Sequence, residues 1–252
     1  MDLAFCTSSQ SGIANARRLH HYALMETILI TGANRGIGLQ LTRHYLDNGH
    51  RVLATCRQPD NAEALTDLAH HAELTIHPLE VTDADSVAAL CDKLANIRID
   101  VLVNNAGIMG GDQQSRDDMD YAAWSEAFAV NTMAPFRLVT ALLPNLMHAE
   151  RPRAITISSQ MGSLQRQSKG SYAYRSSKAA VNKVMQVMAL ELAADGIIVC
   201  PVHPGWVRTD MGGNNADISV AQSAAGIYQL ISNLTPTDSG RFWTWEGQEH
   251  PW

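Results

Sequence analysis

Residues 27–46 join three patterns without a break: an apolar, β-branched run, Thr27-Ile-Leu-Ile-Thr31; a glycine turn, Gly32-Ala-Asn-Arg-Gly36-Ile-Gly38; and helical spacing at Leu39, Leu41, Tyr45 and Leu46. Strand, tight turn and helix in that order commit the chain to an α/β unit, and the order recurs. Strand-like runs at Arg51 to Cys56, Leu74 to His77, Asp100 to Asn104, Ala154 to Ser158 and Ile197 to Val202 alternate with helical patterns. Such alternation predicts a single-domain, doubly wound parallel α/β sheet with helices on both faces. A helix from Asp83 to Ala95 opens on Thr82 or Asp83 as its cap, and the helix carrying Tyr174 stops at Asp195-Gly196. The long helical pattern from Tyr121 to Met147 should bend or break at Pro135 and Pro144.

With 252 residues, 46% of them hydrophobic and 17% charged, the chain has material for one sizeable core. No apolar stretch approaches the roughly 18–20 residues needed to span a bilayer, so no membrane association is expected. A net charge of −6 without a basic stripe argues against a nucleic-acid partner. Cys6, Cys56, Cys91 and Cys200 lack Cys-x-x-Cys spacing, which reads as reduced thiols in a cytoplasmic protein. His20-His21 and His70-His71 have no partners at ligand spacing, so no metal site is expected. Residues 1–24 are aperiodic and largely polar and read as a poorly ordered appendage to a domain over 25–252. They lack the apolar core of a secretory signal; a start codon assigned too early would explain them, the rival reading being a targeting peptide suggested by Arg17-Arg18 and few acids.

Tyr174 and Lys178 are four residues apart in a helical pattern, so their side chains share one face. An ammonium near a phenol favours the ionised form, so the pair is expected to lower the tyrosine pKa and let it trade protons nearer neutrality. In the glycine turn, Gly32 permits the tight bend, Gly36 lets backbone approach a phosphate, and Gly38 allows close helix packing. The spacing Gly-x-x-x-Gly-x-Gly differs from the commoner Gly-x-Gly-x-x-Gly. At the end of the second strand Ala54-Thr55-Cys56-Arg57 offers no carboxylate for a ribose hydroxyl. Arg57 and Arg35 instead provide two guanidiniums suited to a 2′-phosphate, which favours NADPH over NADH.

Four ordered blocks resemble the short-chain dehydrogenase/reductase family: Thr31-Gly32-Ala-Asn34-Arg35-Gly36-Ile37-Gly38; Asn104-Asn105-Ala106-Gly107; Ser158-Ser159 ahead of Tyr174-x-x-x-Lys178; and Pro204-Gly205 with Val207 and Thr209 beyond. The resemblance spans residues 26 to 252, and the ending around Gly240 to Trp252 looks most like the C-factor and sniffer-like carbonyl reductase branch. It implies a Rossmann-type fold that binds NADP through these blocks, with Tyr174 as general acid and Lys178 holding the nicotinamide ribose. It also implies that Ser159 polarises a substrate carbonyl. Ser158 is the alternative, since spacing does not separate adjacent serines. Asn131 matches the asparagine supporting a proton relay to the lysine, its other reading being a polar group that satisfies backbone at a bend. Glu80-Val81 stands where the family usually has Asp-Val near the adenine. Met109, Met161, Trp206 and Met211 are candidate wall residues beside a small lid from Met211 to Ser219. The implied activity is NADPH-dependent reduction of a ketone or aldehyde by a homodimer or homotetramer. A non-catalytic NADP-binding regulator or signalling protein on the same fold is the second reading.

Overall fold

The computed structural model describes residues 25–252; the segment 1–24, and with it the expected appendage, lies outside the described residues. The sheet has seven parallel strands in the order β3-β2-β1-β4-β5-β6-β7. They are β1 Thr27–Thr31, β2 Arg51–Cys56, β3 Leu74–Pro78, β4 Val101–Asn104, β5 Arg153–Ile157, β6 Ile198–His203 and β7 Trp243–Thr244. The chain winds outward from β1 in one direction, then crosses to β4 and winds out in the other. The reversal between β1 and β4 opens a crevice at their carboxyl ends.

Alternating residues along the strands feed two cores. Ile28, Ile30, Val52, Val101 and Val103 face one side, where α1 (Gly36–Asp47) and α8 (Val220–Asn233) lie on them through Leu41, Tyr45, Ile227 and Ile231. Leu29, Leu53, Leu102 and Val199 face the other, packed by α3 (Ala84–Lys93), α5 (Ala134–Ala141) and α7 (Tyr172–Glu191). Each fully buried aliphatic side chain stabilises the fold by about 1.5–3 kcal/mol relative to exposure. Two short helices, α2 (Glu63–Thr66) and α6 (Leu143–Leu146), and α4 (Tyr121–Phe128) complete the set.

The expected strands are present with ends shifted by about one residue, the usual uncertainty of an element end. Asp100, for example, falls just before β4, with its carboxylate accepting the Thr27 N–H at 2.8 Å. The Tyr121–Met147 pattern does break at its prolines: α4 passes through a π-helical turn, Ala129–Met133, into α5 with Pro135 in its first turn, and Pro144 opens α6. That π turn, one residue wider than an α turn, leaves no trace in apolar spacing. Asp83 caps α3 through the Asp85 N–H, as read from sequence. α7 ends at Glu191, and a 3-10 turn carries the chain to Gly196, which stops it at φ 72°. β7 has two residues, too few for periodicity to register.

Candidate active site

Three glycines build the turn after β1, beginning with Gly32 at φ 62°. Gly36 has φ 54°, a left-handed conformation costly for other residues, and a Cβ on Gly38 would stand 2.5 Å from the Gly32 carbonyl oxygen. α1 therefore starts tight against β1, with no side-chain cap and no acid in its first turn. Its leading N–H groups face the crevice uncompensated, an arrangement that accepts an anion. Asn105 braces the turn from β4, donating to the carbonyls of Thr31 at 2.9 Å and Gly32 at 3.1 Å. Thr31 Oγ1 in turn accepts from the N–H groups of Asn105 and Ala106.

A cleft of about 930 Å³ opens there. Its wall takes in Gly32, the Asn34–Ile37 turn, Arg57, Glu80 and Val81, Asn105 to Gly107, Tyr174 and Lys178, Pro204 and Thr209. Five expected members, Gly38, Asn131, Ser159, Gly205 and Val207, stand off that wall. Gly38 and Gly205 act by packing: a Cβ on Gly205 would lie 2.5 Å from Ile218 Cδ1. Val207 is buried and bridged to Ile218. Glu80 turns inward, its carboxylate accepting from the N–H and hydroxyl of Thr82 at 3.1 and 2.8 Å. Arg35 does not stand free beside Arg57: it pairs with Asp210 at 2.9 Å, a residue on no sequence motif. Met109 and Met211 line a neighbouring cavity of about 530 Å³, whereas Met161 and Trp206 are on neither wall.

Tyr174 and Lys178 do share one face of α7, and both are buried. The Lys178 ammonium donates to the Ile157 carbonyl at 2.8 Å and sits 5.7 Å from the centre of the Tyr174 ring. Burial weakens it to a pKa of about 8. The expected lowering of the tyrosine pKa by this lysine is not what the structure produces. Burial raises the Tyr174 pKa above its ordinary value, and the only opposing influence is hydrogen bonding with Ser159. Desolvation of the phenol outweighs an ammonium that is itself directed at a backbone carbonyl.

The two serines diverge. Ser158 lies on the cleft wall but its hydroxyl donates to Asn182 Oδ1 at 2.5 Å, whereas Ser159, off that wall, stands beside Tyr174 and accepts from the Met161 N–H at 3.1 Å. Asn131, in the π turn, accepts from the Ile108 N–H at 2.9 Å and donates to the Ile108 carbonyl and Ser177 hydroxyl at 2.8 and 3.0 Å. Its backbone-satisfying role is thus real, and it also reaches the lysine's neighbourhood. A Cβ on Gly107 would meet Asn131 Oδ1 at 3.3 Å and Lys178 Nζ at 3.5 Å.

No cluster of His, Cys, Asp and Glu among the described residues is placed to hold a metal, and Cys56, Cys91 and Cys200 are free thiols. No helix among them is long and apolar enough to cross a membrane. A parallel sheet wound about a β1/β4 crevice, with an open helix start on one wall and a buried tyrosine and lysine on the other, defines a nucleotide-dependent oxidoreductase fold.

The chain belongs to the short-chain dehydrogenase family, whose profile matches residues 26–218. Within it the chain falls in the carbonyl reductase and Sniffer-like branch. It is 38% identical to the NADPH-bound carbonyl reductase from chicken fatty liver, with a TM-score of 0.84 over 90% of this chain and 99% of that one. The carbonyl reductase Sniffer of D. melanogaster is 34% identical, with a TM-score of 0.84 over 90% and 100% of the two chains. The C-signal protein of Myxococcus xanthus is 41% identical over 155 residues, 61% of this chain and 93% of that protein.

Proposed function

We propose that this protein is an NADPH-dependent carbonyl reductase that converts a ketone or aldehyde to an alcohol, reversibly, with Tyr174 as proton donor. The observation that carries the reading is the buried Tyr174–Lys178 pair on one helix face, with Ser159 against the phenol and the cleft in front. The cleft suits NADP: the open start of α1 would receive the pyrophosphate and Arg57 the 2′-phosphate, with Glu80 and Val81 placed to flank the adenine. The Asn105–Gly107 segment, Lys178, and Pro204 with Thr209, on the same cleft wall, would hold the nicotinamide ribose end. The reduced nicotinamide, when bound, supplies the hydride that reaches the carbonyl carbon.

As that carbon gains its hydride, negative charge collects on oxygen. Ser159 donates a hydrogen bond to the oxygen, and Tyr174 transfers its phenolic proton there, so C=O becomes H–C–O–H. A phenol whose pKa is raised by burial holds its proton throughout the neutral range and is ready to give it. Lys178, cationic at neutral pH, offsets the phenolate that remains, and Asn131 orders the route by which the phenolate regains a proton.

NADPH oxidation against a panel of aldehydes and ketones tests the reading. Tyr174→Phe should still bind NADPH while turnover falls by about 10²-fold or more, the scale of losing a general acid. Equal turnover by both proteins, with a deuteride isotope effect showing chemistry to be rate-limiting, would rule Tyr174 out. The likeness to C-signal favours, as a second reading, an NADP-binding signalling protein; binding of NADPH with no turnover on the panel would support it. The cytoplasmic location and a homodimeric or homotetrameric assembly belong to the same proposal.

A further inference from the structure

We propose that Gln114 is a positioning residue for Tyr174, holding the start of α7 from a loop that walls the cavity beside the cleft. The inference rests on the reading of Tyr174 as proton donor. α7 begins poorly by local standards: Ser171 precedes it in the left-handed conformation, φ 52° and ψ 45°, and no neighbouring side chain caps it. Its first N–H groups therefore need acceptors from elsewhere. One comes from 60 residues away, where Gln114 Oε1 accepts the Tyr174 N–H at 3.1 Å. The same amide donates through Nε2 to the Met109 carbonyl at 2.9 Å and the Gly111 carbonyl at 2.7 Å.

One side chain thus ties the backbone of the proton donor to the loop after β4. That loop is also seated sterically, because a Cβ on Gly110 would lie 2.9 Å from Ala127 Cβ and 3.0 Å from Ala173 Cβ. Met109, Gly111, Gln114 and Ser171 all line the 530 Å³ cavity, so a substrate lodged there would press on the loop. Only an amide serves here: the position needs one acceptor and two donor hydrogens, and a carboxylate has no donors. Displacement of the loop passes directly to the Tyr174 backbone.

The test is a double-mutant cycle with steady-state reduction of the best carbonyl found by the panel. Gln114→Met keeps the side chain's length and removes every hydrogen bond, so kcat should fall about tenfold or more, as misplacing a reacting group by a fraction of an ångström does. NADPH affinity should stay near the parent's, while the melting temperature drops by about a few degrees as the Tyr174 N–H and two loop carbonyls lose their partner. Tyr174→Phe should cost much less in the Gln114→Met background than alone, because both act through one phenol. Gln114→Glu supplies an independent readout: its ionised form lacks the donors, but protonation restores one, so its kcat relative to the parent should recover as pH falls through the carboxyl range. Losses that add in the cycle, an unchanged kcat in Gln114→Met, or a flat pH ratio for Gln114→Glu would overturn the positioning role. If Tyr174→Phe alone left turnover unchanged, the proton-donor reading would fall, and this inference with it.

Discussion

Lys178 Nζ lies 5.7 Å from the centre of the Tyr174 ring, yet its hydrogen bond at 2.8 Å runs to the Ile157 carbonyl. The lysine is thus oriented by β5 rather than by the phenol. Burial acts on both groups, raising the tyrosine pKa and lowering the lysine pKa to about 8, and in each case it favours the neutral form.

Proton transfer should carry that signature. Carbonyl reduction needs the protonated phenol and should be nearly flat across neutral pH. Alcohol oxidation needs the phenolate and should climb about tenfold per pH unit until the phenol titrates. Initial rates in both directions between pH 6 and 10 check this; parallel profiles would contradict it.

Stability should respond to Lys178 in a defined window. The native pKa of about 8 lies below the ordinary 10.5, so between those values the unfolded chain binds a proton that the native one lacks. Stability from this group therefore rises with pH across the window and is at its lowest below it. Urea unfolding of the parent and Lys178→Met should show the parent gaining on the variant from pH 8 to 10.

The adjacent serines should separate by kind of damage. Ser159→Ala should lower turnover by about 10²-fold with little change in melting temperature, the scale for removing one donor to a developing oxyanion. Ser158→Ala leaves Asn182 without its partner in the interior and should destabilise by about 1–3 kcal/mol while turnover changes little. Measured kcat and denaturant midpoints for the pair decide it.

Cofactor preference should depend more on Arg57 than on Arg35. Arg57→Asp should weaken NADPH binding about 10- to 100-fold, the scale of a charge-assisted phosphate contact, and narrow or reverse the preference over NADH. Arg35 is already paired with Asp210 at an exposed site, so Arg35→Ala should cost less. Fluorescence titration with both cofactors measures the ratio; equal affinity for both in the parent would refute the arginine argument.

Crowding at the glycine turn should be severe. Gly38→Ala drives a methyl to within 2.5 Å of the Gly32 carbonyl, so it should destabilise by about 1–3 kcal/mol and cost NADPH affinity as α1 moves away. Thermal unfolding with and without NADPH reports both losses.

The β-branched runs and the helical spacing between them dictated a parallel sheet, because the central strands β1, β2, β4, β5 and β6 are buried on both faces and the helices on one. The glycine turn, Tyr174 and Lys178 were legible for the same reason: their meaning lies in short spacing that backbone geometry converts directly into position. Proline placement likewise announced the breaks near Pro135 and Pro144, although not the π turn that sets Asn131.

What the chain alone left open depends on contacts between distant segments. Ser158 and Ser159 are equivalent on a line of text, and only packing of β5 against α7 turns one to Asn182 and leaves the other beside Tyr174. The pairing of Arg35 with Asp210, 175 residues on, and the reach of Gln114 to the Tyr174 N–H have no local signal. The direction of the tyrosine shift was decided in the same way: spacing placed a cation nearby, but desolvation depends on how completely the fold excludes water, a property of the packed interior.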